Sequence, residues 1–375
     1  MDFMEIVKII IPFLIILTVL VFVHEMGHYL IARKNGVKVE IFSIGFGSEL
    51  FGWTDKIGTR WKVCAIPLGG YVKMFGDADP SSSRKFDSVE MSSDEKKVSF
   101  HHKRLGERAA IVLAGPIANF LFAIVLLAGL YSLVGQRYAP PIIDKITMGS
   151  AADLAGLMVG DEIIQVDNED IEKFDQLQRI VRPNPGKSLE FLIRRDKKII
   201  QKVVVPKAIV GNDISGAKIV YGLLGVTSEQ TVFIKHNIVK STSLAVEETW
   251  VIISQTLTHI GEMILGERTT DELGGPIRIA KLSGAVADAG IVSSIWFMAV
   301  LSINLGLINL FPVPVLDGGH LFFYLIEFIR GKPLGAKAQE MASYTGLFVV
   351  IALMVFVTWN DLTQMNIINF FTSIF

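Results

Sequence analysis

His24, Glu25 and His28 are the residues whose types and spacing point most directly to chemistry. Four residues apart on a helix with 3.6 residues per turn, the two imidazoles lie on nearly one face. Such a pair can hold one Zn2+, and the adjacent Glu25 can reach a metal-bound water as a general base. A third protein ligand would complete a hydrolytic site with one position open for water. The motif closes an apolar run, since Ile9 to Val23 carry no charge. Ionisable groups in a bilayer-length segment are costly and mark function by default.

The third ligand is to be sought in the run from Asn309 to His320. Pro312 and Pro314 break a helix there. Broken backbone at membrane depth is tolerated only where it is buried in protein or lines a wet cavity. Asp317 follows at once and is a natural ligand. His320, three residues on, competes with it on residue type.

These residues need a scaffold, and composition says which kind. The chain has 375 residues, 51% hydrophobic and 19% charged, with a mean hydropathy of +0.47. That is the composition of a mainly α, polytopic membrane protein. A net charge of −1 gives no reason to invoke nucleic acid. The single cysteine, Cys64, excludes an intramolecular disulfide framework and has no histidine near it in sequence. Asp2, Glu5 and Lys8 stand where a cleaved leader would be basic, and no Ala-x-Ala-like site follows, so the first apolar run reads as a retained span.

Four segments are long enough to cross a bilayer. The first lies within residues 1–32, from about Ile6. The second covers 109–134, the third 291–316 and the fourth lies within 341–375, from Met341 to Trp359. Between the first two, Arg33 to Arg108 carries 14 Lys/Arg against 10 Asp/Glu. The 317–340 segment, read as the Leu-Asp-Gly stretch and a turn, carries Arg330, Lys332 and Lys337. Both connections are expected to be cytoplasmic, with the N- and C-termini outside.

Residues 33–108 divide in two. Val37 to Phe75 is Gly-rich and alternates in places, which reads as short strands forming a hairpin or a membrane-associated sheet edge. Gly76 to Ser99 reads as a flexible loop without chemistry. His101 and His102 read as membrane-flanking residues. In the second span, Gly115 and Ala114 permit close helix packing, and Asn119 needs a polar partner, with bracing of the site as a second role. Residues 138–207 read as a compact α+β module: strand, short helix closed by Gly156, strand, helix over Phe174 to Val181, closing strand. Residues 208–290 contain an amphipathic helix from Ser241 to Leu265, set to lie on the outer membrane surface or on the module. Gly274-Gly275-Pro276 is expected to break the chain before the third span.

Taken together, His24-Glu25-Met26-Gly27-His28, Gly115-Pro116 with Asn119, and Asn309-x-x-Pro312-x-Pro314-x-Leu316-Asp317-Gly318 resemble the site-2 protease family of intramembrane zinc metalloproteases. The run from Ala155 to Ile163 resembles a permuted bacterial PDZ domain, and its insertion between the second and third spans looks like the bacterial RseP-type branch that cleaves anti-sigma factors. The best-known member of that branch has two tandem PDZ modules, whereas this chain has room for one. The resemblance implies zinc on His24, His28 and Asp317, with Glu25 as general base. It implies that Asn309, Pro312 and Pro314 hold substrate backbone, and that the edge around Ile66, Gly69, Gly70 and Tyr71 adds substrate as a strand. The implied substrates are single-pass membrane proteins, cut in or near the spanning helix in the bacterial inner membrane after a first cut outside. The periplasmic PDZ module would take a peptide C-terminus or act as a size filter. Two other readings are a non-catalytic membrane adaptor and a metal or solute carrier, though the four spans show no inverted repeat.

Overall fold

The computed structural model describes residues 3–76, 91–212, 218–228, 232–266 and 274–364. The chain divides into two compact units, one of residues 1–128, 242–257 and 271–375, the other of 129–241 and 258–270.

In chain order, α1 (Phe3–Lys34) leads into β1 (Val39–Thr54), β2 (Arg60–Met74), α2 (Ser93–Val98) and α3 (Leu105–Leu133). The middle of the chain holds β3 (Gln136–Tyr138), β4 (Lys145–Ile146), α4 (Ala151–Leu154), β5 (Glu162–Val166), β6 (Glu169–Asp170), α5 (Phe174–Val181), β7 (Leu189–Arg195) and β8 (Lys198–Val204). Then come β9 (Lys207–Asn212), β10 (Lys218–Leu223), β11 (Val226–Thr227), β12 (Val232–Ile234) and α6 (Ile238–Leu265). The chain closes with α7 (Pro276–Asp288), α8 (Ile291–Asn309), α9 (Asp317–Arg330) and α10 (Ala336–Gln364).

Among the described residues, α1, α3, α8 and α10 are the helices long and apolar enough to cross a membrane. The first three pack through small residues. A Cβ on Gly27 of α1 would stand 2.3 Å from the Ala114 carbonyl oxygen of α3, and one on Gly306 of α8 would stand 3.0 Å from that of Pro116. Ser302 of α8 donates to the Asn119 carbonyl at 2.8 Å. A single such bond in lipid contributes only about 0.6 kcal/mol, so close backbone approach carries the association. Ile16, Leu20 and Phe297 form the buried seam between α1 and α8.

The first connection is a bent sheet rather than a set of short strands. Residues 39–44 pair on one side with 70–74 and on the other with 60–63, which pair in turn with 51–54. Two long strands thus fold back into four ribbons. Gly45, at φ +86°, makes one bend, where a Cβ would stand 2.6 Å from the Ile66 carbonyl. The tip is apolar and open, with Leu50, Phe51, Trp53 and Ile57 exposed. Part of the expected flexible loop, 77–90, lies outside the described residues. The remainder contains α2, started by a capping box in which Ser92 and Glu95 satisfy each other's backbone N–H groups.

Three further expectations change. Gly275 and Pro276 start a helix rather than break the chain: Gly275 is the N-cap of α7 and Pro276 its first residue, where a missing N–H has no consequence. The third spanning helix stops at Asn309, and 310–316 is irregular because Pro312 and Pro314 cannot continue it. The 317–340 segment is mostly the 14-residue helix α9, not a turn. Asp361, buried on α10, accepts from the Gly275 N–H at 2.9 Å and the Arg278 N–H at 3.0 Å, capping α7 from another helix.

In the second unit, β6-β5-β7-β8 form a four-stranded antiparallel sheet. Its core joins Ile163, Val166, Phe191 and Ile193 of the sheet to Ala152, Leu157 and Leu177. The module continues past residue 207, because β11 pairs with β4 and Leu224 is in the same core. These two-residue pairings have no periodic signature, which is why the sequence gives no sign of them. Arg195 grips Asp161 with two bonds of 2.7 Å each, and the Met158 N–H adds a third at 2.8 Å. Burial would raise the Asp161 carboxyl, but the guanidinium and the backbone donor outweigh it and hold the group below the usual carboxylate range. The Asp161 side chain is 1% exposed. A lowered folded pKa contributes stability above the unfolded value of about 3.9 that is lost as pH falls through the folded one. Arg195→Ala should therefore cost about 3 kcal/mol, and the acid unfolding of this unit should move to higher pH. Circular dichroism against pH on the full chain checks this; an unmoved acid midpoint would mean that Asp161 is held by other groups.

Candidate metal centre

Helix α1 brings His24 and His28 to one side by its periodicity, and both are buried. Asp317, first residue of α9, completes a triangle. His24 Nε2 lies 3.2 Å from His28 Nε2 and 3.1 Å from Asp317 Oδ2, and His28 Nε2 lies 3.5 Å from the same oxygen. Metal–nitrogen bonds of about 2.0 Å in a tetrahedron place ligand atoms about 3.3 Å apart, so the triangle fits a zinc ion. Among the described residues this is the His/Cys/Asp/Glu group close enough to share an ion. His320 is exposed, with its ring against Phe323, and is no part of it.

The imidazoles are aimed from behind. His28 Nδ1 donates to the Ile111 carbonyl on α3 at 2.9 Å, which turns its Nε2 lone pair toward the centre. His24 Nδ1 lies 3.1 Å from Asn119 Nδ2, and the Asn119 oxygen is buried without a partner. Turned over, the amide presents its oxygen to Nδ1–H and leaves Nε2 free as well; as placed, its N–H donates to Nδ1. The floor of the site is Gly115. A Cβ there would stand 2.3 Å from His28 Nε2 and 2.9 Å from His24 Cε1.

The carboxylate arrives by a strained route. Val315 has φ +97°, a left-handed conformation that a β-branched residue adopts at a cost of about 1–3 kcal/mol. The following glycines let the connection fold tightly onto the start of α9. A Cβ on Gly318 would stand 2.3 Å from the carbonyl oxygens of Leu310 and Phe311, and one on Gly319 would stand 2.4 Å from that of Val313.

Glu25, half-buried, lies within electrostatic range of His24, His28 and Asp317, and accepts a hydrogen bond from the Val72 backbone of β2. The sheet edge therefore reaches the site. A Cβ on Gly70 would stand 3.3 Å from Glu25 Cγ and 2.8 Å from Val21 Cγ1. Of the other residues expected to hold substrate, Tyr71 stacks on Phe46 with centroids 6.0 Å apart, and Ile66 is exposed. Gly69, at φ +118°, packs against the Phe46 ring. Asn309 ends α8, and Pro312 and Pro314 lie in the connection to Asp317.

A model of Peptidase family M50 matches residues 12–353. The chain belongs to peptidase family M50. A protein of Agrobacterium fabrum, provisionally named a zinc metalloprotease, is 44% identical over 361 residues, which are 95% of this chain and 96% of that one. A protein of Rickettsia conorii with the same provisional description is 40% identical, over 95% of this chain and 99% of its own. The metalloprotease MmpA of Caulobacter vibrioides is 33% identical, over 96% of this chain and 97% of its own.

In this M50 peptidase the sequence singled out the three ligand-type side chains and Glu25. It gave Gly115 only a packing role and did not single out Val72. The close pairing of Gly27 with Ala114 is the cue that α3 must press against the imidazole face. Gly115→Ala is expected to displace both rings and lower zinc affinity by roughly 10- to 100-fold while the chain still folds. Competition with a chromophoric chelator measures it, and unchanged affinity would show that the rings do not depend on this floor.

Proposed function

We propose that this membrane metallopeptidase is an intramembrane zinc endopeptidase that cuts single-pass membrane proteins in or near their spanning helix. The observation that carries the reading is the meeting of His24, His28 and Asp317 within one coordination triangle, with Glu25 beside it. The donor set, two imidazole nitrogens and a carboxylate, suits a catalytic zinc with one open position.

Zinc held by His24, His28 and Asp317 would supply Lewis acidity toward a water and the scissile carbonyl. Glu25 takes the proton of the attacking water and hands it to the leaving nitrogen. The backbone donor of Val72 fixes the Glu25 carboxylate for that transfer. A helical substrate hides its peptide bonds, so it must be extended before attack. Strand β2 from Ile66 to Met74 offers a template: 70–74 pair on one side with 39–44, and Gly70 reaches the Glu25 side chain. Asn309, Pro312 and Pro314 would hold the opposite side of the extended segment.

Residues 138–207 are read as a PDZ-type module that takes a peptide C-terminus or screens substrates by size. The supports are α4, followed past its C-cap Ala155 by the left-handed Gly156, together with α5 and the sheet they cover. The resemblance to site-2 proteases implies the substrate class: membrane-tethered remnants, such as anti-sigma-factor-like proteins or signal peptides, left by a first cut outside. The basic excess between α1 and α3 and after α9 supports a bacterial inner membrane setting with both termini periplasmic.

Glu25→Gln should retain zinc and lose cleavage of a tethered single-pass substrate by about 10^2- to 10^4-fold. His24→Ala should lose the metal as well. Metal analysis together with fragment proteomics of membranes from wild-type and Glu25→Gln cells checks both, and wild-type turnover in Glu25→Gln would remove the catalytic assignment.

A further inference from the structure

Arg108 and Glu327 are a half-buried pair that the proposed chemistry does not use. Arg108 lies in the first turn of α3 and Glu327 ten residues into α9. Their side chains are 12% and 17% exposed, and Arg108 Nη2 donates to Glu327 Oε1 at 2.5 Å. The Arg108 guanidinium also lies 4.9 Å from the centroid of the Tyr324 ring, one turn earlier on α9. Arg108 Nε has no acceptor among the described residues, so the guanidinium uses one edge on the carboxylate and its face on the ring.

The two helices joined here are the two that shape the site. Helix α3 carries Ile111, Gly115 and Asn119 against the imidazoles, and α9 begins with the carboxylate. Leu321 and Tyr324 lie on the same stripe of α9 as Asp317 and pack on the cluster of Tyr29, Ala32, Ile111 and Val112. We propose that Arg108 and Glu327 form a positioning clamp that fixes the tilt of α9 on α3 and thereby sets Asp317 against the imidazole pair. The proposal rests on the zinc-site reading.

Magnitudes favour positioning over stability. Replacing both partners of such a pair by apolar residues changes folding energy little, because desolvation offsets the attraction, whereas removing one partner strands the other charge. The pair does restrict geometry. Ten residues of helix make a lever of about 15 Å. A tilt of about 4° at the clamp then moves Asp317 by about 1 Å, whereas coordination tolerates only about 0.2 Å. At its other end α9 is pressed by the 310–316 carbonyls onto Gly318 and Gly319, so fixing the Glu327 end leaves the helix little freedom.

The test uses the full chain in nanodiscs, loaded with zinc, with release to a chelating dye followed in time and thermal unfolding followed in parallel. The double variant Arg108→Met with Glu327→Leu, which strands no charge, should release zinc about tenfold faster with little change in unfolding temperature, and Glu327→Gln alone should release it as fast. Arg108→Ala should do the same, Arg108→Lys should stay within about threefold of wild type, and the reversed pair Arg108→Glu with Glu327→Arg should recover most of the loss. Release at the wild-type rate from both single variants overturns the clamp, as does faster release accompanied by a matching loss of thermal stability and no recovery in the reversed pair. A wild-type chain that retains no zinc would defeat the metal-site reading itself, an outcome distinct from either.

Discussion

The close approach of α1 and α3 is the constraint on which the rest of the structure depends. It exists because Gly27 and Gly115 have no side chain: one admits the Ala114 carbonyl and the other admits two imidazoles. In lipid, helix association gains little from burial of apolar surface, so shape complementarity decides which faces meet. Once α3 is pressed against the histidine face, its own groups orient the rings. The Ile111 carbonyl and the Asn119 amide take the outward nitrogens, and the inward nitrogens are left to converge. Packing and ligand orientation are thus one event.

The carboxylate is delivered differently. Asp317 belongs to a helix that begins inside the protein, after a connection whose backbone is bent by two prolines and strained at Val315. Such strain persists only where surroundings over-determine it. The surroundings here are explicit: Gly318 and Gly319 receive the connection's carbonyls. One strained connection and one carboxylate therefore meet two imidazoles held by well-packed helices.

Chemistry and recognition are divided between kinds of backbone. Helices satisfy their own hydrogen bonds and can hold polar side chains at membrane depth. Strands offer unsatisfied edges and can accept another chain. The bent sheet of β1 and β2 carries apolar, exposed residues at its tip, while Gly70 and Val72 near the end of β2 meet α1 at Glu25. This arrangement sets an open strand edge beside the Glu25 carboxylate.

The sequence by itself determined the parts that are local. The His24 and His28 pairing follows from helical period, the spanning helices from apolar length, and the presence of a helix break near the third span's end from Pro312 and Pro314, though not its onset at Asn309. Much of the α+β module is legible for the same reason, since α5, β5 and β7 each carry a pattern over several residues. Only the tertiary structure shows Asp317 beside the imidazole pair and His320 apart from it, because that depends on how α9 is seated, not on residue type. It also decided that Gly115 is a floor, that Asp361 caps α7 across the chain, that β11 completes the module, and that Arg108 finds Glu327. Each of these is a meeting of residues distant in sequence whose types are individually ordinary, so no spacing or period could reveal them.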